Sequence, residues 1–190
     1  MESIGFKEWA IVCRALGSGE QSIIPRKGGL AEGGEGFSFQ HREFFLFPTY
    51  FHEQVSKVRQ PGVDLPEPRP GGIEINFFAK LEIGRVISSW AVAAGLEHLH
   101  ILQTEVVRER FEYEQTTGLH VAFVRIFRIT PAWIFPDEKR FGGCRSWVNL
   151  PRPPADLRLE PVLSETEHER RKKEFLEIVG DGSGGLFAAP

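Results

Sequence analysis

The stretch Ile73-Glu74-Ile75-Asn76-Phe77-Phe78-Ala79-Lys80-Leu81-Glu82-Ile83 decides how this chain folds. Ile73, Ile75, Phe77, Ala79, Leu81 and Ile83 alternate with Glu74, Asn76, Phe78, Lys80 and Glu82. Period-two alternation of this kind places one set of side chains on a buried face and the other in water, which is a strand half-covered by a core. A second long strand is expected over Val121–Ile129, apolar on both sides, with Arg125 on the same face as Val121, Phe123, Phe127 and Ile129. If that strand is central, the Arg125 guanidinium must meet an anion or carbonyls, because an unpaired buried charge is costly.

Working outward, residues 61–72 are rich in proline and glycine, which forbids regular structure and predicts an exposed loop inside the domain. Before it, Phe44–Phe47 reads as a short strand stopped by Pro48, and Thr49 as the cap of a helix with Phe51, Val55 and Val58 on one face. Trp9–Leu16 and Gln21–Ile24, joined through Gly17-Ser18-Gly19-Glu20, read as an opening hairpin. After the central strand, Trp90–His100 suits a helix, Thr104 caps another to about Tyr113, and Cys144–Leu150 is a further strand. Ser164-Glu165-Thr166-Glu167 is a capping box that opens a charged helix to about Val179.

Strands and short helices interleave without a βαβ rhythm. The expected class is therefore α+β, with a mostly antiparallel curved sheet, short helices and a C-terminal helix. A small barrel of PUA-like character is one concrete version. Residues 1–160 form the expected single domain, 161–180 a charged helix and 181–190 a flexible tail.

The 190 residues are 41% hydrophobic and 12% aromatic, enough for one sizeable core. With 26 acids against 23 bases the net charge is -3, so any attraction for a polyanion must be local. The bases do gather: residues 101–158 hold nine Lys/Arg against seven Asp/Glu, and 159–190 hold four against seven. Two cysteines, Cys13 and Cys144, are too few for a disulfide framework or an all-thiolate zinc site. With no secretory signal and no apolar run near 20 residues, the expectation is a cytoplasmic protein outside the membrane.

The chemistry-bearing stretch runs from Arg26 to Glu53. Gly28, Gly29, Gly33, Gly34 and Gly36 let backbone N–H groups approach a ligand, Arg26, Lys27, His41, Arg42 and His52 bring donors, and Phe and Tyr bring flat faces. That suits an anionic, ring-bearing partner. Tyr50 and Trp147 are expected stacking platforms, and Arg108, Arg125 and Arg145 add contacts, Arg145 lying at i and Trp147 at i+2 of one expected strand.

Other chemistries fail on spacing. A phosphate loop needs lysine and a hydroxyl after its last glycine, whereas Lys27 precedes the glycines and Phe37 follows Gly36. A dinucleotide fingerprint lacks its third glycine and its βαβ unit. The nuclease pattern of Asp64 with Glu-x-Lys is broken by Phe78 two residues before Lys80. The rival catalytic reading is a His/carboxylate metal or acid–base site from His41, Glu43, His52 and Glu53. No motif calls for a cofactor or a resident metal.

Three signatures together, Arg26-Lys27-Gly28-Gly29-Leu30-Ala31-Glu32, Phe45-Leu46-Phe47-Pro48-Thr49-Tyr50-Phe51-His52-Glu53 and Gly143-Cys144-Arg145-Ser146-Trp147-Val148, resemble the bacterial domain-of-unknown-function family 1802 over about residues 5–152. The resemblance implies no catalytic residue. Some members of that family are joined to a Mrr-type restriction endonuclease domain, so it implies a restriction or DNA-defence setting and a restriction-type nuclease subunit as partner. Two functions from different classes follow: a non-catalytic module recognising DNA or RNA, and the metal-dependent hydrolase. A protein-interaction subunit is the third.

Overall fold

A computed structural model describes residues 2–26, 39–60, 62–113 and 118–180. Among the described residues there are seven strands: β1 (Ile4–Trp9), β2 (Ile23–Arg26), β3 (Glu43–Thr49), β4 (Gly72–Ile87), β5 (Leu119–Pro136), β6 (Trp147–Asn149) and β7 (Arg158–Pro161). Four α-helices accompany them: α1 (Ala10–Ser18), α2 (Trp90–Gly95), α3 (Thr104–Phe111) and α4 (Glu165–Val179). The strands form one sheet in the order β2-β5-β4-β3-β1-β6, with β7 also paired to β5. Every pairing is antiparallel except β1 with β3. The α+β class and the largely antiparallel, curved sheet expected from the sequence are what the chain adopts.

The alternating stretch is indeed a strand, but its buried face changes partway. Register breaks lie between Ile75 and Phe77 and between Leu81 and Ile83 in the β4–β5 ladder. An extra residue at a bulge reverses which face the following side chains take. Ile75 and Phe78 consequently belong to one core, with Phe45, Phe47, Ile129, Trp133, Phe135, Phe141, Val148 and Leu150. Ala79 and Leu81 belong to the other, with Phe6, Leu16, Phe44, Phe123 and residues of the helices. Phe45 of β3 meets Trp133 of β5 at 4.9 Å between ring centroids, a contact that requires the sheet to curl across β4.

The opening hairpin is corrected to a strand followed by a helix. Ala10, Ile11, Val12, Cys13, Ala15 and Leu16 are all buried, and Arg14, the one exposed residue among them, is too little to set a helical period apart from a strand's alternation. Gly19 ends α1 in the left-handed conformation (φ 78°), and a Cβ on Gly17 would come within 2.0 Å of the Phe77 ring. The helix expected after Thr49 is a short 3-10 turn, His52–Lys57, without a side-chain cap. Thr49 instead donates its hydroxyl to the Glu8 carbonyl at 3.0 Å.

Other expectations hold in detail. The Ser164 hydroxyl accepts from the Glu167 N–H at 3.2 Å, and α4 runs to Val179. Arg125 finds its anion, donating to both carboxylate oxygens of Glu165 at 3.1 and 2.6 Å. α4 lies on the body: Phe175 is fully buried, its ring 5.4 Å from that of Phe123. The glycine-rich segment from Lys27 and the 181–190 tail lie outside the described residues. Among the described residues no helix is long and apolar enough to cross a membrane.

His100 is buried beneath this layer, its Nδ1 accepting from the Leu102 N–H at 3.1 Å. Burial pushes its pKa down to about 3, and Arg59, Arg110 and His98 push the same way. A histidine held neutral contributes stability above its unfolded value near 6.5 that is lost as pH falls toward the folded value. Urea midpoints are therefore expected to drop between pH 6.5 and pH 4, and His100→Gln should flatten that decline; an unchanged pH profile in the variant would contradict this account.

Candidate nucleic-acid interface

β1 carries an acid into its buried end. Glu8 is 1% exposed, and its carboxylate accepts from the Trp9 N–H at 2.8 Å. Such a charge is tolerable only with partners. β2, paired to β5, ends on Arg26, which places Nη1 3.6 Å from Glu8 and donates from Nη2 to the Ser146 hydroxyl at 2.7 Å. A second guanidinium comes from α3: Arg110 donates to the Pro25 carbonyl at 2.6 Å and lies 4.8 Å over the Trp9 ring. Burial lowers the Arg110 pKa to about 10, with Arg26 adding to the effect and Glu8 opposing it. Arg26 is thus the ion-pair partner of Glu8, while Arg110 is held by the Pro25 carbonyl and the Trp9 ring within the field of both.

Rings floor the cluster. Arg26 lies 5.2 Å over Phe6, whose ring is 4.8 Å from that of Trp147. Trp147 also meets Phe44 at 5.3 Å and His41 at 5.0 Å. It is half-buried, and its Nε1 has no hydrogen-bond partner among the described residues. Parallel β1–β3 pairing and antiparallel β1–β6 pairing bring the three ring-bearing segments together, with Phe6 opposite both Leu46 and Trp147. Arg42 and Arg145, the chain neighbours of His41 and Ser146, are exposed, and the Arg145 charge is felt by Lys7. On the opposite face of β1, Lys7 donates to the Gly142 and Gly143 carbonyls at 3.2 and 3.0 Å, and burial lowers its pKa.

The remaining sequence-selected residues lie elsewhere. Arg125 is bound to Glu165, and the five residues separating it along β5 from His120, the strand partner of Arg26, span about 17 Å. Arg108 lies 4.4 Å over Trp90 and 3.7 Å from Glu112. Tyr50 lines a different cleft of about 500 Å³ between α1, β3, β4 and the proline-rich loop, with Arg14, Arg69, Glu74, Asn76 and Phe77. Burial raises the Tyr50 pKa, with Cys13 and Glu74 adding to it. Lys27, Gly28 and Gly29 fall outside the described residues.

The four residues of the rival catalytic reading do not meet. His41 is 3.3 Å from Glu2 and Glu43 3.0 Å from Lys80 at the start of β3, whereas His52 and Glu53 are exposed on the 3-10 turn after its end. The seven-residue strand between them spans about 20 Å. Among the described residues, the His/carboxylate group with ligand atoms close together is instead Glu82, His168 and Glu169. Sequence reading missed that group, and it also missed Glu8, Arg110 and Ser146.

Comparison with known proteins bears on the family. The model described as Domain of unknown function (DUF1802) matches residues 5–174, which takes in the sheet and most of α4. No curated protein matches the chain. Among solved structures, a crystal structure of ASCH from Zymomonas mobilis is 14% identical, with a TM-score of 0.42 over 90% of this chain and 93% of that one. A mutant ZmASCH protein from the same organism gives 14% identity and a TM-score of 0.45, over 90% and 94% of the two chains. Likeness at this level carries no argument about activity.

If Glu8 is the anchor of the cluster, Glu8→Gln leaves the Arg26 guanidinium without its buried anion. The expected cost is about 3 kcal/mol, read from urea unfolding at neutral pH; a variant as stable as the parent would contradict the assignment.

Proposed function

The chain belongs to the DUF1802 family, and we propose that it is a nucleic-acid recognition module whose contact face centres on Arg26, Ser146 and Trp147. The observation that carries the reading is the convergence of Arg26, His41 and the neighbours Ser146 and Trp147, drawn from three separate segments, at one ring-floored place. Guanidinium groups supply contacts to phosphate, and rings supply surfaces on which unpaired bases stack whatever their identity. Arg42 and Arg145 extend the donors outward, and the glycine segment that starts after Arg26 adds backbone N–H groups at Gly28 and Gly29, with Lys27 as a further cation.

The preferred partner is single-stranded, because stacking on a side chain requires a base free of its own neighbours. The activity is binding without cleavage. A restriction or DNA-defence setting, with a restriction-type nuclease subunit as partner, is the finer part of the proposal and rests on the resemblance to family members joined to Mrr-type domains.

Fluorescence anisotropy with labelled single-stranded DNA and RNA tests this. Contacts to about three phosphates give a slope of log K against log salt of roughly -2. Arg145→Ala, at an exposed position, should weaken binding several-fold without moving the thermal midpoint, and Arg42→Ala should weaken it to a similar degree. Binding that ignores salt, or no binding at all, would overturn the proposal, and cleavage of the oligonucleotide with Mg²⁺, Mn²⁺ or Zn²⁺ would favour the hydrolase.

A further inference from the structure

Where α4 crosses β4, His168 is 2% exposed and its ring packs 5.3 Å from that of Phe123. Its Nε2 is 3.1 Å from a carboxylate oxygen of Glu82, yet it makes no hydrogen bond of acceptable geometry to any group. A buried ring nitrogen in that state is unusual, because almost all such groups are satisfied. If Nε2 is the unprotonated nitrogen, its lone pair faces a carboxylate, which is repulsive unless something positive lies between them. Glu169, next to His168 on α4, adds an exposed carboxylate, and ligand atoms of all three residues lie within 4.8 Å of one another.

We propose that Glu82, His168 and Glu169 form a binding site for a divalent transition-metal cation of the Zn²⁺ type, which fastens α4 to β4. The chemistry of the donors selects the class: one imidazole nitrogen and two carboxylates suit Zn²⁺ better than the all-oxygen shell that Mg²⁺ or Ca²⁺ takes. The spacing agrees. Two ligands each about 2.1 Å from one ion, at angles of roughly 90–109°, are about 3.0–3.4 Å apart. The His168–Glu82 pair is at 3.1 Å, and the exposed Glu169 side chain has the rotamer freedom to close the wider gap. Three protein ligands leave a fourth position for water.

Lys172 marks the place where positive charge is wanted. Its ammonium lies 2.9 Å from Glu82 and 3.5 Å from Glu169, bridging the two carboxylates as a monovalent cation. A divalent ion and this ammonium compete for the same oxygens, so Lys172 sets the affinity by opposing the metal. When the ion enters, the lysine turns toward solvent. The site is independent of the nucleic-acid reading, since none of its residues belongs to the Arg26 cluster.

The full chain, freed of metal with a chelator, is titrated with Zn²⁺ by calorimetry and with Co²⁺ by absorbance. One equivalent should bind, and saturating Zn²⁺ should raise the thermal midpoint by a few degrees, roughly the shift that a ligand specific to the folded state produces. Glu169→Gln, at an exposed position, should weaken binding at least about 10-fold by removing a ligand, and Lys172→Met should tighten it about 3-fold, the ordinary span of an exposed charge contact. His168→Gln should abolish it, and Glu82→Gln serves as the check should the buried substitution unfold the chain. Cys144→Ser, which removes the exposed thiol, should change nothing. No saturable binding, binding indifferent to both Glu82→Gln and Glu169→Gln, or a thiolate-to-cobalt band lost in Cys144→Ser would each overturn the site.

Discussion

β4 and β5 pair over most of their 16 and 18 residues, and the break in their register between Ile75 and Phe77 is the constraint on which the rest of the structure depends. A strand of strict alternation could feed only one core. By reversing its faces, β4 gives Ile75 and Phe78 to an aromatic core around Trp133 and Phe45, and Ala79 and Leu81 to the core beneath the helices. The sheet must curl to close the first of these, and the curl leaves α1, α3 and the ends of β1 and β2 gathered on its other face. That gathering allows an acid from β1, arginines from β2 and α3, and the serine preceding β6 to meet.

Electrostatics then decides what the gathered residues can do. A buried carboxylate fixes the Arg26 guanidinium more firmly than a surface charge could be fixed, because releasing it would leave an unpaired charge in a poorly solvated place. Arg110, held by the Pro25 carbonyl and the Trp9 ring, lies in the same field, where Glu8 opposes the fall in its pKa. The same logic governs α4. Arg125 with Glu165, Arg171 with the Gly19 carbonyl, and Glu82 with Lys172 hold a highly charged helix against the sheet, while Phe175 supplies its apolar anchor. Partial burial raises the Glu82 pKa, but the opposing groups, Lys172 foremost, outweigh it and hold the carboxyl below its ordinary range.

Periodicity made β4 and β5 legible, because alternation and a doubly apolar run are local properties of the chain. The capping box at Ser164 was legible for the same reason, its hydrogen bond spanning three residues. The bulge was not, since Phe77 and Phe78 read equally well on either face. α1 was misread because its residues are apolar except for Arg14 and Ser18, and the close packing of Gly17 on Phe77 comes from a distant strand. Of the interface, Arg26, Arg145 and Trp147 were visible as a basic and aromatic composition. Glu8, Arg110 and Ser146 were not, because their meaning arises only when β1, α3 and β6 come together. Tyr50, Arg108 and Arg125 were selected by type, and type says nothing about which side of a curled sheet a residue occupies.

The most direct test of the central claim, that the Arg26–Ser146–Trp147 face is where nucleic acid lies, is photocrosslinking of a 4-thiouridine oligonucleotide to the full chain, followed by peptide mapping. The account predicts crosslinks in the segments around His41 and Trp147 that disappear at high salt. Crosslinks confined to the Tyr50 cleft or to α4 would contradict it.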